Sequence, residues 1–94
     1  MIGTTWKGGT FGIRVGSANA LQYFNKKWTH VEVKLGNTFH VFNLSKTFWT
    51  TCPEFRGKEI GMWLHMHGLD HWPKGRPHKV KLIPLGSNKF KLLK

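Results

Sequence analysis

The chain has 94 residues, of which 15 are Lys or Arg and 4 are Asp or Glu, giving a net charge of +11 and a pI near 10.3. That length fits one compact domain over residues 1–94, and five Trp, seven Phe and one Tyr supply the bulk a small core needs. A single cysteine, Cys52, excludes an intrachain disulfide and a multi-cysteine zinc module, and no apolar run reaches the roughly 18–20 residues of a membrane span.

From the N-terminus, "GTTWKGGTFGIRVG" reads as a Gly- and Thr-rich loop that feeds a short alternating strand over residues 11–15. The following "SANALQYFN" predicts a short helix capped by Ser17, with Leu21 and Phe24 on its buried face; the alternative is a strand turning at Asn25 and Lys26. The clearest strand is "WTHVEVKL", where Val31, Val33 and Leu35 alternate with His30, Glu32 and Lys34. Gly36 and Asn37 turn it into "TFHVFNL", whose Phe39, Val41, Phe42 and Leu44 predict cover on both faces.

A principal helix is expected over residues 52–67. Thr51 and Glu54 have capping-box spacing, Pro53 falls in the first turn, and Phe55, Ile60, Met62, Trp63, Leu64 and Met66 recur at helical intervals. Gly68 stands where a left-handed cap belongs, with Leu69 folding back on Leu64. After a Pro/Gly loop, residues 79–85 and 89–93 flank Gly86-Ser87-Asn88 as a second hairpin. The predicted fold class is therefore α+β: a small antiparallel sheet of four to five strands, built from two hairpins, packed against that one helix.

In the second hairpin Val80, Leu82, Phe90 and Leu92 alternate with Lys79, Lys81, Lys89 and Lys91. One face is then apolar and the other lysine-studded, a costly arrangement if like charges lie opposite one another. The bland reading is a solvated face that discourages edge pairing. Four lysines, with Lys74, Arg76 and Lys94 close by and no acid, favour a phosphate-gripping surface instead. Lysines grip phosphates as point charges rather than reading bases, so the expectation is non-catalytic nucleic-acid binding, DNA ahead of RNA. The expected interface comprises Lys74, Arg76, Lys79, Lys81, Lys89 and Lys91, with Trp72 and His78 from the preceding loop. Arg76 is the residue expected to reach a base or groove, and Trp72 divides evenly between stacking and covering the helix end. Trp6, Phe48 and Trp49 are further stacking candidates, although burial is favoured for each.

Two other classes compete. A basic face also suits docking on an acidic protein, as an inhibitor or assembly factor would. "HMHGLDH" gathers His65, His67, Asp70 and His71, and with Glu59 it raises a metal-dependent nuclease as a lesser alternative. No spacing matches a ligand or catalytic motif, so no cofactor, metal or catalytic residue is assigned. Cys52 beside Pro53 is expected to pack rather than react. "MIGTTWKGGTFG" lacks the build of a signal peptide, and lone-cysteine usage suits a reducing compartment, so a soluble cytoplasmic protein with no membrane partner is expected.

Overall fold

A computed structural model describes all residues, Met1–Lys94. Seven strands form a single mixed sheet: β1 (Ile2–Gly8), β2 (Thr10–Arg14), β3 (His30–Leu35), β4 (Thr38–Asn43), β5 (Glu54–Arg56), β6 (Lys79–Gly86) and β7 (Lys89–Leu93). Their spatial order is β4-β3-β7-β6-β1-β2-β5, curled into a nearly closed barrel. Every pairing is antiparallel except β3 with β7, which run parallel. Two short helices complete the chain, α1 (Ser17–Tyr23) and α2 (Lys58–Met66), with a 3-10 turn at Lys46–Trp49. No helix is long and apolar enough to cross a membrane.

The seven-strand barrel corrects the expected sheet of four to five antiparallel strands on one principal helix. The largest local departure is residues 52–67. Glu54, Phe55 and Arg56 form a strand paired with β2, and the helix begins only at Lys58, so Thr51 and Glu54 make no capping box. Phe55 points inward and is 1% exposed, between outward Glu54 and Arg56, a period of two hidden inside an apparent period of 3.6. The pairing depends on Gly12: a Cβ there would lie 2.6 Å from the Phe55 carbonyl oxygen and 2.9 Å from the Arg56 Cβ. Gly12→Ala is therefore expected to cost about 1–3 kcal/mol by overpacking. Urea denaturation will show the loss, and amide exchange will show whether β5 opens first.

The N-terminal stretch is likewise a strand rather than a loop. Thr4, Thr5 and Trp6 alternate outward and inward, and Gly3 lets β2 approach, since a Cβ there would meet the Ile13 side chain at 2.9 Å. The short helix forms, but without the expected Ser17 cap: Ser17 is its first residue, Gly16 holds the cap position and no side chain caps it. Ala20 is buried within the helix and Phe24 just after it, while Leu21 is 67% exposed. The first hairpin turns at Gly36, at φ 64°, as read; on β4 only Phe42 is buried, and Phe39 and Val41 face solvent. At the end of α2, Gly68 adopts φ 69° and the Leu69 N–H donates to the Leu64 carbonyl at 2.8 Å, closing the expected cap.

Strand directions place each plug. β5 delivers the chain to one barrel mouth, where α2 inserts Ile60, Trp63 and Leu64. β2 delivers it to the other, where Phe24 stacks on Phe90 at 4.9 Å and meets Phe48 at a tilt, 5.0 Å between ring centres. Val31, Val33, Val80, Leu82 and Leu92 line the wall between. Inward positions thus carry the core, and the alternate positions of the same strands carry the outer surface.

Candidate nucleic-acid interface

The barrel wall fixes where charge sits. Lys79, Lys81, Lys89 and Lys91 all alternate with buried neighbours and so project outward, Lys79 and Lys81 exposed and the other two partly so. They do not oppose one another across the hairpin. Lys81 faces Leu93, Lys91 faces Ile83 and Lys89 faces Gly86, which corrects the expected repulsive pairing. Lys79 lies beside Thr4 of β1, and the directly juxtaposed lysines are Lys91 and Lys34, across the parallel β7–β3 pair. Lys34 thereby joins the face; its outward position was legible, but its neighbour was not.

The acids do little to neutralise this surface. Glu54 reaches Arg14 at 3.5 Å and Glu32 reaches Lys89 at 3.5 Å, leaving Arg14 and Lys89 as the only two of the fifteen Lys and Arg with a carboxylate partner. Lys89 also stands 5.7 Å from the Phe39 ring centre, with Lys34 at 5.9 Å. Among the four hairpin lysines it is the one already engaged.

The loop before β6 is tied down at both ends. Thr5 and His78 exchange bonds: the Thr5 N–H donates to the His78 carbonyl at 2.9 Å, and the His78 N–H donates to Thr5 Oγ1 at 3.0 Å. The His78 ring donates from Nε2 to the His71 carbonyl at 2.7 Å, so this side chain braces its own loop. Between them a turn closes from the Arg76 N–H to the Pro73 carbonyl at 2.9 Å, with Gly75 at φ 77°. Lys74 and Arg76 project from that turn, exposed and without carboxylate partners.

Trp72 is half-buried, edge-on to Phe11 and His78 with interplanar angles of 69° and 81°. It lines an open cleft of about 380 Å³ together with Thr4, Trp6, Lys7, Arg14, Asp70 and His71. The Trp6 ring folds over Gly8, where a Cβ would lie 2.5 Å from it, and carries the Arg56 guanidinium 5.2 Å from its centre. Phe48 is buried and Trp49 packs on the core, so of the further aromatic candidates only Trp6 reaches a cleft. No family model, curated protein or solved structure matches the chain. The reading of this surface rests on its chemistry.

Asp70 is the one carboxylate on the cleft wall. His65 donates from Nδ1 to its Oδ2 at 2.9 Å, and His71 Nε2 stands 3.7 Å away. The His65 hydrogen bond holds the Asp70 carboxyl below its ordinary value near 3.8, outweighing the opposing desolvation, with its own backbone N–H and the His71 and His65 rings adding to the lowering. A depressed folded-state value gives a contribution that is complete above the unfolded value and is lost as pH falls through the folded one. His65→Ala is therefore expected to return the Asp70 titration toward its ordinary range, as carboxyl-carbon NMR will show. His67 instead packs on Trp63 at 4.3 Å, and no group of three His, Cys, Asp or Glu side chains is placed to hold a metal ion.

Proposed function

We propose that this protein binds nucleic acid without catalysing a reaction on it, gripping phosphates with the outer face of β6 and β7 and the turn at Lys74–Arg76. The observation that carries the reading is the uncompensated charge: a net +11 in which only Arg14 and Lys89 are paired with carboxylates. Lys79, Lys81, Lys91 and Lys34 are fixed outward by strands whose alternate residues build the core, so their charge holds its place when the partner arrives. Phosphate contacts of this kind release counterions and favour any phosphodiester backbone, with DNA taken ahead of RNA. Cytoplasmic residence is part of the proposal, consistent with a free, half-buried Cys52.

Docking on an acidic protein is the second reading, favoured by one observation: α2 leaves Met62 and Met66 65% and 81% exposed, an adaptable apolar strip of the sort partners use. Titration separates the two. Heparin displaces the partner in either case, whereas a 20-base-pair duplex of unrelated sequence titrates only a nucleic-acid binder. Saturable duplex binding that salt weakens supports the proposal; no binding of duplex, single strand or RNA at 50 mM salt rejects it.

A further inference from the structure

The lysine face accounts for affinity to a backbone but leaves the adjoining cleft without a purpose. Its two indoles are Trp6 and Trp72, separated in sequence by β2 to β5 and brought together by the β1–β6 pairing and the Thr5–His78 exchange. At about 380 Å³ the cleft lies at the small end of the range for small-molecule sites, roughly 300–1,000 Å³. Neither indole is stacked face to face on another ring of the protein: Trp72 meets Phe11 and His78 edge-on, and Trp6 lies over Gly8 with the Arg56 guanidinium 5.2 Å from its centre.

The polar groups of the cleft are sorted by sign. Lys7, which has no carboxylate partner, supplies positive charge on the β1–β2 wall beside Arg14, which Glu54 holds at 3.5 Å, and Lys79 lies beside Thr4, so the lysine face runs directly into the cleft. Asp70 supplies the only negative charge, and His65 and His71 keep it in place beside Trp72. A carboxylate so positioned, on a chain otherwise poor in acids, repels phosphate and accepts from N–H donors. Cations, two indoles and one acceptor together match a nucleotide, with its phosphate toward Lys7, its base on the indoles and an exocyclic amino group toward Asp70.

We infer that the cleft between Trp6 and Trp72 takes one unpaired base of a bound strand, with preference for a base that carries an exocyclic amino group. This rests on the phosphate-gripping reading and sharpens it: the lysine face holds the backbone on either side, and the cleft draws the chain toward single-stranded or locally unpaired nucleic acid. A base kept inside a duplex presents no face to the indoles. The same chemistry exists in a free nucleotide, and the test below includes one.

The experiment uses the wild-type protein and follows its tryptophan fluorescence during titration with four ligands: a ten-residue oligo-dC strand, the same length of oligo-dT, an abasic strand of equal phosphate count, and dCMP. Oligo-dC is expected to bind about tenfold or more tighter than the abasic strand and to quench tryptophan emission, as one base stack contributes. Oligo-dT, which offers a carbonyl where cytosine offers an amino group, is expected to fall between them. dCMP is expected to quench at millimolar concentration only. Trp72→Leu should bring oligo-dC down to the abasic level.

Equal binding of oligo-dC and the abasic strand overturns the inference while leaving the phosphate grip standing. Equal binding of oligo-dC and oligo-dT overturns the role given to Asp70. Tight dCMP binding, with strands no better, removes the strand as the source of the base and rejects the phosphate grip with it. If Trp72→Leu fails to fold, the comparison of dC, dT and abasic strands on the wild type decides alone.

Discussion

Changing Lys79, Lys81 and Lys91 together to alanine is expected to weaken duplex binding a few hundredfold at 0.1 M salt. Each phosphate contact contributes a factor of roughly 10^0.9 at 0.1 M relative to 1 M salt, through released counterions, and three contacts multiply. Lys89 is left in place because Glu32 already holds it, at 3.5 Å. The fold should survive the triple change, since Lys79 and Lys81 are exposed, Lys91 is partly so, and none of them pairs with a carboxylate. Removing three like charges from a +11 chain relieves self-repulsion, so the melting temperature is expected to hold or rise. Fluorescence anisotropy measures the affinity and a thermal melt measures the fold. Affinity within twofold of wild type would mean that this face is not the binding surface.

Phe90→Ala is expected to remove about 3–5 kcal/mol of stability, the usual cost of truncating a buried aromatic residue. Phe90 is 1% exposed, stacks on Phe24 at 4.9 Å and meets Trp28 edge-on at 6.3 Å. It joins β7 to the plug of the α1 mouth, and its neighbours cannot close the gap, because Phe24 is held in turn by Phe48. Against a total of about 5–15 kcal/mol for a domain, such a loss leaves a marginal fold. Urea denaturation should show a lower midpoint with an unchanged slope. A loss below about 1 kcal/mol would contradict the packing described for that mouth. The two experiments also test the division of labour on β7, in which Phe90 supports the barrel and Lys91 the surface.

That division was readable from the sequence because it is local. Strict alternation in "KVKL" and "KFKLL" places Val80, Leu82, Phe90 and Leu92 inward, and the same rule identified β3 and its turn at Gly36. The Gly68 cap was legible for a similar reason, since it needs only neighbours within one turn. Features set by distant partners were not legible. Residues 54–56 carry a plausible helix start, yet they pair with β2, because Gly12 lets the backbones meet and Phe55 gains burial there. The N-terminal Thr and Gly residues resemble a loop until β2 and β6 flank them. The curl of seven strands into a barrel follows from the parallel β3–β7 contact, which joins residues more than fifty positions apart and leaves no local trace.

The site divides in the same way. Lys79, Lys81, Lys89 and Lys91 were correctly placed on one outward face, but their register, and hence the absence of direct opposition, required the pairing itself. The joining of Lys7, Arg14 and Trp6 with Trp72 in one cleft depends on the β1–β6 contact and the Thr5–His78 bonds, neither of which local patterning reveals. His78 looked like a ligand-facing residue, whereas its ring donates to the His71 carbonyl of its own loop.

The most direct test of the account is the salt dependence of binding, measured on a duplex, a single strand and an RNA of equal length between 50 and 300 mM salt. For four or five phosphate contacts, log K against log salt should fall with a slope near about −4 for duplex DNA and near about −3 for the single strand. A slope indistinguishable from zero, or no measurable binding to any of the three at the lowest salt, would contradict it.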